Sequence, residues 1–288
     1  MHQNISFTSQ RLTIAGHLYL PEKGHKPFPL VILCHGFCGV KELLIPNYAD
    51  YFSRHGYAVL TFDYRGFGES QGEQGRLQAN YQIDDILSAI DYGVSLNNID
   101  PERIALWGTS FGGANAVVAA AKDHRIKCLL IQLAFADGER VITGRMSEEE
   151  KLRLQKSIER MKIKKSTTGR EMMVPIAKIL SDPQSVDFYK TYRMQFPALG
   201  IKIPFLTIAE TMQHKPEQYI KDIAAPVMIV AAENDGVNPA EESKRLYALA
   251  SEPKQLHIEA KATHYELYNS KHFNHVVNRQ LKWLKAHC

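Results

Sequence analysis

The chain has 288 residues, 44% hydrophobic and 23% charged, a composition that can bury a sizeable core and that excludes disordered or collagen-like chains. A formal charge of +4 is too small to point to nucleic acid or a membrane surface as partner. No stretch approaches the roughly 18 uninterrupted apolar residues of a membrane span, and the first ten residues lack the basic-then-apolar order of a secretion signal, so a soluble cytoplasmic protein is expected.

In chain order, residues 5–9 and 12–20 alternate in polarity and predict an antiparallel edge hairpin. Short runs rich in Val, Ile and Leu then recur between amphipathic stretches, the pattern of parallel strands joined by helices. Strands are predicted over 30–34, 57–63, 103–108, 127–133, 226–232 and 255–259. Helices fit over 43–54, 79–96, 111–122, 240–250 and 271–286, the last with Phe273, Val276, Val277, Leu281 and Leu284 on one face. Between residues 136 and 216 the alternation stops, and the chain becomes helical, charged and rich in Met and Arg. That stretch reads as a helical insertion within a single domain spanning 1–288. Ser147 and Glu150 form a capping-box signature for a helix running to about Lys165, where Ser166, Thr167, Thr168 and Gly169 end it. A second helix is expected near 172–180, followed by a Pro-containing segment over 196–205. Cys34, Cys38, Cys128 and Cys288 are too few and too irregularly spaced for a disulfide framework or a zinc site, so no metal and no cofactor are expected.

The chemistry concentrates at strand ends. Gly108-Thr109-Ser110-Phe111-Gly112 matches G-x-S-x-G, with a predicted strand before it and a predicted helix after it, the context in which a serine is presented on a sharp turn. A serine hydroxyl is a weak nucleophile and needs a base, and the base needs a group to orient it. Asp235 lies just beyond the strand at 226–232, and His264 just beyond 255–259, both at carboxyl ends of predicted parallel strands. Among the 12 histidines, His257 falls inside a strand and His272 and His275 inside the terminal helix, which leaves His264 as the base.

With these motifs the chain resembles the α/β-hydrolase superfamily, close to its serine esterase and dienelactone-hydrolase-like branches. The resemblance implies an α/β-hydrolase fold, a mostly parallel eight-stranded sheet flanked by helices, here with the helical lid insertion. It implies a triad of Ser110, Asp235 and His264, with Glu233 as the competing acid. Cys34-His35-Gly36-Phe37 stands where these hydrolases carry an oxyanion loop, implying backbone N–H groups of Phe37 and Phe111 as donors and a structural His35. Asp63-Tyr64-Arg65-Gly66-Phe67-Gly68-Glu69-Ser70 resembles the D-x-R-G-x-G-x-S scaffold loop, with Arg65 expected to pair with Asp63 or Glu69, or else to meet an anionic substrate.

The expected activity is hydrolysis of a carboxylic ester with a small or medium, partly apolar acyl group, through an acyl-enzyme. Thioesterase or acyltransferase chemistry on the same triad, and a non-catalytic binding protein on the same fold, remain open alternatives. The partner is a small-molecule ester or thioester. Met194, Phe196, Phe205 and Leu206 are the expected substrate-binding residues, within an insertion whose Met146, Met161, Met172, Met173 and Met212 offer either an adaptable lining or plain packing. Arg160, Lys162, Lys164 and Lys165 read as a solvated helix face, with attraction of a phosphate-bearing ester as the alternative.

Overall fold

The computed structural model describes residues 2–269 and 271–288. β1 (His2–Ser9) and β2 (Leu12–Tyr19) pair antiparallel. They turn through Gln10 and Arg11, both at positive φ (46° and 71°), the mirror-image turn whose twist matches that of the strands it joins. The chain then alternates through β3 (Phe28–Cys34), α1 (Pro46–Arg54), β4 (Ala58–Phe62), α2 (Ala79–Val94), β5 (Ile99–Thr109), α3 (Phe111–Lys122) and β6 (Ile126–Gln132). An excursion follows, carrying α4 (Gly138–Thr143), α5 (Glu148–Thr168), β7 (Met173–Pro175), α6 (Pro183–Tyr192), β8 (Lys202–Pro204) and α7 (Thr207–Met212). β9 (Val227–Ala232), α8 (Ala240–Leu249), β10 (Lys254–Glu259) and α9 (Lys271–His287) complete it.

The main sheet has eight strands in the order β1-β2-β4-β3-β5-β6-β9-β10, parallel from β4 onward and antiparallel at the β1 and β2 edge. Successive side chains on a strand face opposite ways. Leu30 and Ile32 of β3 accordingly join a core with Ile86, Val117 and Ile229, while Val31 and Leu33 join Tyr48, Trp107 and Leu281 on the other face. Helices cover both faces, which is why the central strands read as unbroken apolar runs. No described helix is long and apolar enough to cross a membrane.

Three differences from the sequence reading of the helices have a local reason. α1 starts at Pro46, not 43, because proline suits the first helical turn and disfavours a helical residue before it. α5 continues to Thr168: the Thr167 and Thr168 hydroxyls donate back to the carbonyls of Ile163 (2.9 Å) and Lys164 (2.7 Å), and Gly169 at φ 67° caps the helix. The helix expected at 172–180 is absent. Pro175 ends β7 there, a single 3-10 turn over Ile176–Lys178 follows, and the helix is α6. Its start is set by Asp182, whose side chain accepts the Ser185 N–H (2.8 Å), with Pro183 in the first turn.

Candidate active site

Between β5 and α3 the chain turns within one residue, Ser110, at φ 54° and ψ −124°. A non-glycine residue there carries strain of about 1–3 kcal/mol. The turn is held by the Ser110 N–H donating to Gln132 O of β6 (2.9 Å) and by Ala114 N–H donating to Ser110 O (3.1 Å). Glycine is needed beside it: a Cβ on Gly112 would lie 2.2 Å from His35 O and 2.3 Å from Cys34 O, so any side chain would push the loop after β3 away from the serine.

The loop after β9 brings in Asp235. Asp235 Oδ1 accepts the N–H groups of Val237 and Asn238, both at 2.8 Å, which leaves Oδ2 to accept His264 Nδ1 at 2.8 Å. Both side chains are almost fully buried, 1% exposed for Asp235 and 3% for His264. The carboxylate takes the Nδ1 hydrogen, so the neutral ring presents a lone pair at Nε2. Glu233 is exposed at the strand end, its Oε2 accepting the Lys261 N–H (2.7 Å), and does not meet His264 in this arrangement.

Ser110 and His264 open on one cavity of about 480 Å³, together with Phe37 and Phe111. The Ser110 hydroxyl oxygen accepts from Asn238 Nδ2 (3.3 Å), which also donates to Leu133 O (2.7 Å). Phe37 and Phe111 pack edge to face, ring centroids 5.6 Å apart, across the base of the cavity. The apolar wall comes from Phe135 and from the excursion: Ile142, Leu154, Ile179, Phe188 and Phe205.

One element of the excursion fastens three loops of the site. Gln184 of α6 accepts the N–H groups of Gly236 (3.1 Å) and His264 (3.2 Å) and donates to Asn234 O (2.9 Å), tying the loop after β9 to the loop after β10. Phe188 stacks on Tyr265 (4.1 Å, 6°), and Ser185 hydrogen-bonds the same tyrosine (3.0 Å). Tyr189 donates its hydroxyl to Phe37 O (3.1 Å), fixing the loop after β3. At the root of the excursion, buried Glu242 of α8 accepts the N–H groups of Ala136 (2.9 Å) and Asp137 (3.0 Å).

The family profile described as serine aminopeptidase, S33 (Hydrolase_4) matches residues 25–271. The chain belongs to that family of α/β hydrolases. Over 269 residues it is 47% identical to an Escherichia coli protein named "Uncharacterized 31.7 kDa protein in traX-finO intergenic region", covering 93% of this chain and 94% of that one. It is 31% identical over 294 residues to the "Quorum-quenching protein AidA" of Acinetobacter baumannii, covering 98% and 94%. Among solved structures, DcsB in complex with its substrate analogue superposes with a TM-score of 0.86 at 23% identity, over 100% of this chain and 99% of that one, a likeness of fold. The eight-stranded, mostly parallel sheet is the α/β-hydrolase fold that the resemblance implied.

In this hydrolase Ser110, Asp235, His264, Phe37 and Phe111 come together, whereas the residues chosen in the excursion scatter. Phe205 lines the cavity. Met194 does not: it is 83% exposed, just past the end of α6. Phe196 packs beside Tyr192 outside the cavity lining, and Leu206 is buried with Ile158 and Met161 under α5. Of the described methionines only Met146 is in the lining; Met161 is core, and Met172 and Met173 are exposed. Arg160, Lys162, Lys164 and Lys165 are exposed, Lys165 pairing with Glu171 (3.1 Å). Arg65 pairs with neither Asp63 nor Glu69. Its Nε and Nη2 both donate to Asp85 Oδ1 (2.9 and 2.6 Å), while Asp63 takes buried Lys41 (2.8 Å). His35 turns Nδ1 to Gly36 O (3.1 Å), and burial lowers its pKa. Burial likewise pushes the Cys34 thiol up to about 12, which makes it inert. Asn238 and Gln184 were not singled out from sequence. Asn238 stands three residues after the acid, a position that only the turned loop brings to the serine.

Proposed function

We propose that the protein is a serine esterase that cleaves carboxylic esters of small or medium, partly apolar acyl groups through an acyl-enzyme on Ser110. The observation that carries the reading is the buried His264–Asp235 pair at 2.8 Å, opening on the same cavity as a serine held at φ 54°. Ser110 Oγ attacks the ester carbonyl carbon as its proton passes to His264 Nε2, and Asp235 stabilises the imidazolium. The carbonyl oxygen becomes negative and is met by the N–H groups of Phe37 and Phe111. His264 returns the proton to the departing alkoxide, breaking the C–O bond; water then enters by the same route in reverse and releases the acid. The excursion between β6 and β9 acts as the lid, its apolar side chains receiving the acyl group. A volume of about 480 Å³ lies within the range of small-molecule sites and is small for a polymer chain.

A fluorophosphonate probe tests this directly, since it bonds only to an activated serine. Labelling is expected at Ser110 and is lost in Ser110→Ala, with kcat on p-nitrophenyl acyl esters reduced about 10³-fold or more. Asp235→Asn is expected to be severely impaired and Glu233→Gln to stay near wild type. Turnover retained in Ser110→Ala would sink the assignment, and the reverse ranking of the two acids would move the third role to Glu233.

A further inference from the structure

Away from this cavity, β10 and α9 bring several imidazoles onto one carboxylate. His257 and Glu259 stand two residues apart on β10 and so leave the same face of the strand. His272 and His275 stand three apart on α9 and so share a helix face. Glu259 Oε2 lies 2.7 Å from His257 Nε2 and 2.7 Å from His275 Nδ1, while Oε1 lies 2.8 Å from His272 Nδ1. The rings of His257 and His275 are perpendicular, centroids 5.3 Å apart. The geometry points to a divalent transition-metal site of the zinc class, formed by His257 Nε2, Glu259 Oε2 and His275 Nδ1, that clamps α9 to β10.

The three ligand atoms already lie within 4.8 Å of one another. Tetrahedral zinc, with bonds of about 2.0–2.2 Å, holds its ligand atoms roughly 3.3 Å apart, so occupation needs side-chain adjustment and no backbone shift. Two imidazoles and one carboxylate select zinc, nickel or copper over calcium and magnesium, which take oxygen ligands. Three protein ligands leave a fourth position for water, and the His275 side chain, 51% exposed, gives the ion an approach from solvent. His272 on Oε1 orients the carboxylate from behind, the arrangement that fixes a ligand's direction in metal centres. A second triangle, Glu42, Asp63 and Glu69, has comparable spacing but already holds a cation: Lys41 Nζ sits 2.7, 2.8 and 2.6 Å from its three carboxylates. At the histidine site ring nitrogens, and not an ammonium, face the Glu259 carboxylate. Binding moves the ring hydrogens to His257 Nδ1 and His275 Nε2, which displaces exposed Arg279, whose Nε now donates to His275 Nε2 (3.1 Å).

The full-length protein, stripped with EDTA, is to be titrated with zinc chloride by calorimetry at pH 7.5. One tight equivalent is expected, with a Kd of about 10 µM or tighter, together with a rise in Tm that grows with zinc concentration. His257→Gln and His275→Gln should each weaken binding by about tenfold or more while leaving probe labelling of Ser110 unchanged. Arg279→Gln should bind at least as tightly as wild type. Binding that is absent, or undiminished in both histidine variants, or lost in Arg279→Gln, overturns the site. Should a histidine variant fail to fold, cobalt(II) added to the unmodified protein decides. Intense visible bands of four-coordinate cobalt support the site, and the weak spectrum of the hexaaqua ion overturns it.

Discussion

Asn238 meets the proposed nucleophile from the donor side. Its Nδ2 can only donate, so in their 3.3 Å contact the Ser110 oxygen is the acceptor and the hydroxyl hydrogen stays available for a base. The same residue's backbone N–H holds Asp235 Oδ1, so one asparagine touches both the proposed nucleophile and the proposed acid. His214 illustrates the opposite use of burial. It packs against Phe111 and Phe135, its Nε2 has no partner among the described residues, and burial lowers its pKa to about 4. The unfolded chain then takes up a proton near pH 6.5 that the folded chain refuses until about pH 4. Stability from this group is therefore full above pH 6.5 and is lost as pH falls toward 4, by on the order of 3 kcal/mol. His214→Phe is expected to flatten that limb of a Tm-against-pH curve. An acid limb identical to wild type would show that His214 is not held neutral.

Among the elements, α6 ties together the loops after β3, β9 and β10, and Gln184 makes three of those ties. Gln184→Ala removes the one oxygen that accepts two part-buried N–H groups, a loss of about 1–2 kcal/mol in loop placement. The expected result is a kcat lowered roughly tenfold with KM nearly unchanged, and a parallel fall in the rate of fluorophosphonate labelling. Gln184→Glu, which keeps the acceptor and loses the donor to Asn234 O, should recover part of it. Wild-type kcat in Gln184→Ala would reduce the residue to packing. The strands were legible because burial on both faces writes continuous Val, Ile and Leu into the chain. The proposed roles of Ser110, Asp235 and His264 could be put forward from the chain because each residue follows such a run. α6 was not, since its one strong signal, Asp182 ahead of Pro183, lies beside apolar residues 172–180 whose spacing imitates a helix that Pro175 forbids. Nor was the partner of Arg65, because Asp85 comes from α2 and no local spacing links the two.

At the scale of the molecule, the parallel sheet supplies the carboxyl edge where the chemistry gathers, and the excursion supplies the walls around it. Phe205 and Ile142 belong to those walls and Met194 does not. Phe205→Ala and Ile142→Ala should each shift the acyl-length optimum toward longer esters, while Met194→Ala should leave it in place. A profile unmoved by both wall substitutions would separate the excursion from acyl recognition. The Tyr189 bond to Phe37 O and the Gln184 bonds to the acid and histidine loops have a consequence for how such a protein diversifies. Recognition and turnover are inherited together: a segment exchanged wholesale between relatives brings its own fasteners along with its own walls, and a mismatch at either loosens the serine's surroundings. New substrates are reached more readily by single changes in wall residues that leave α6 in register, so the ancestry of this excursion should read as slow drift, not as recombination.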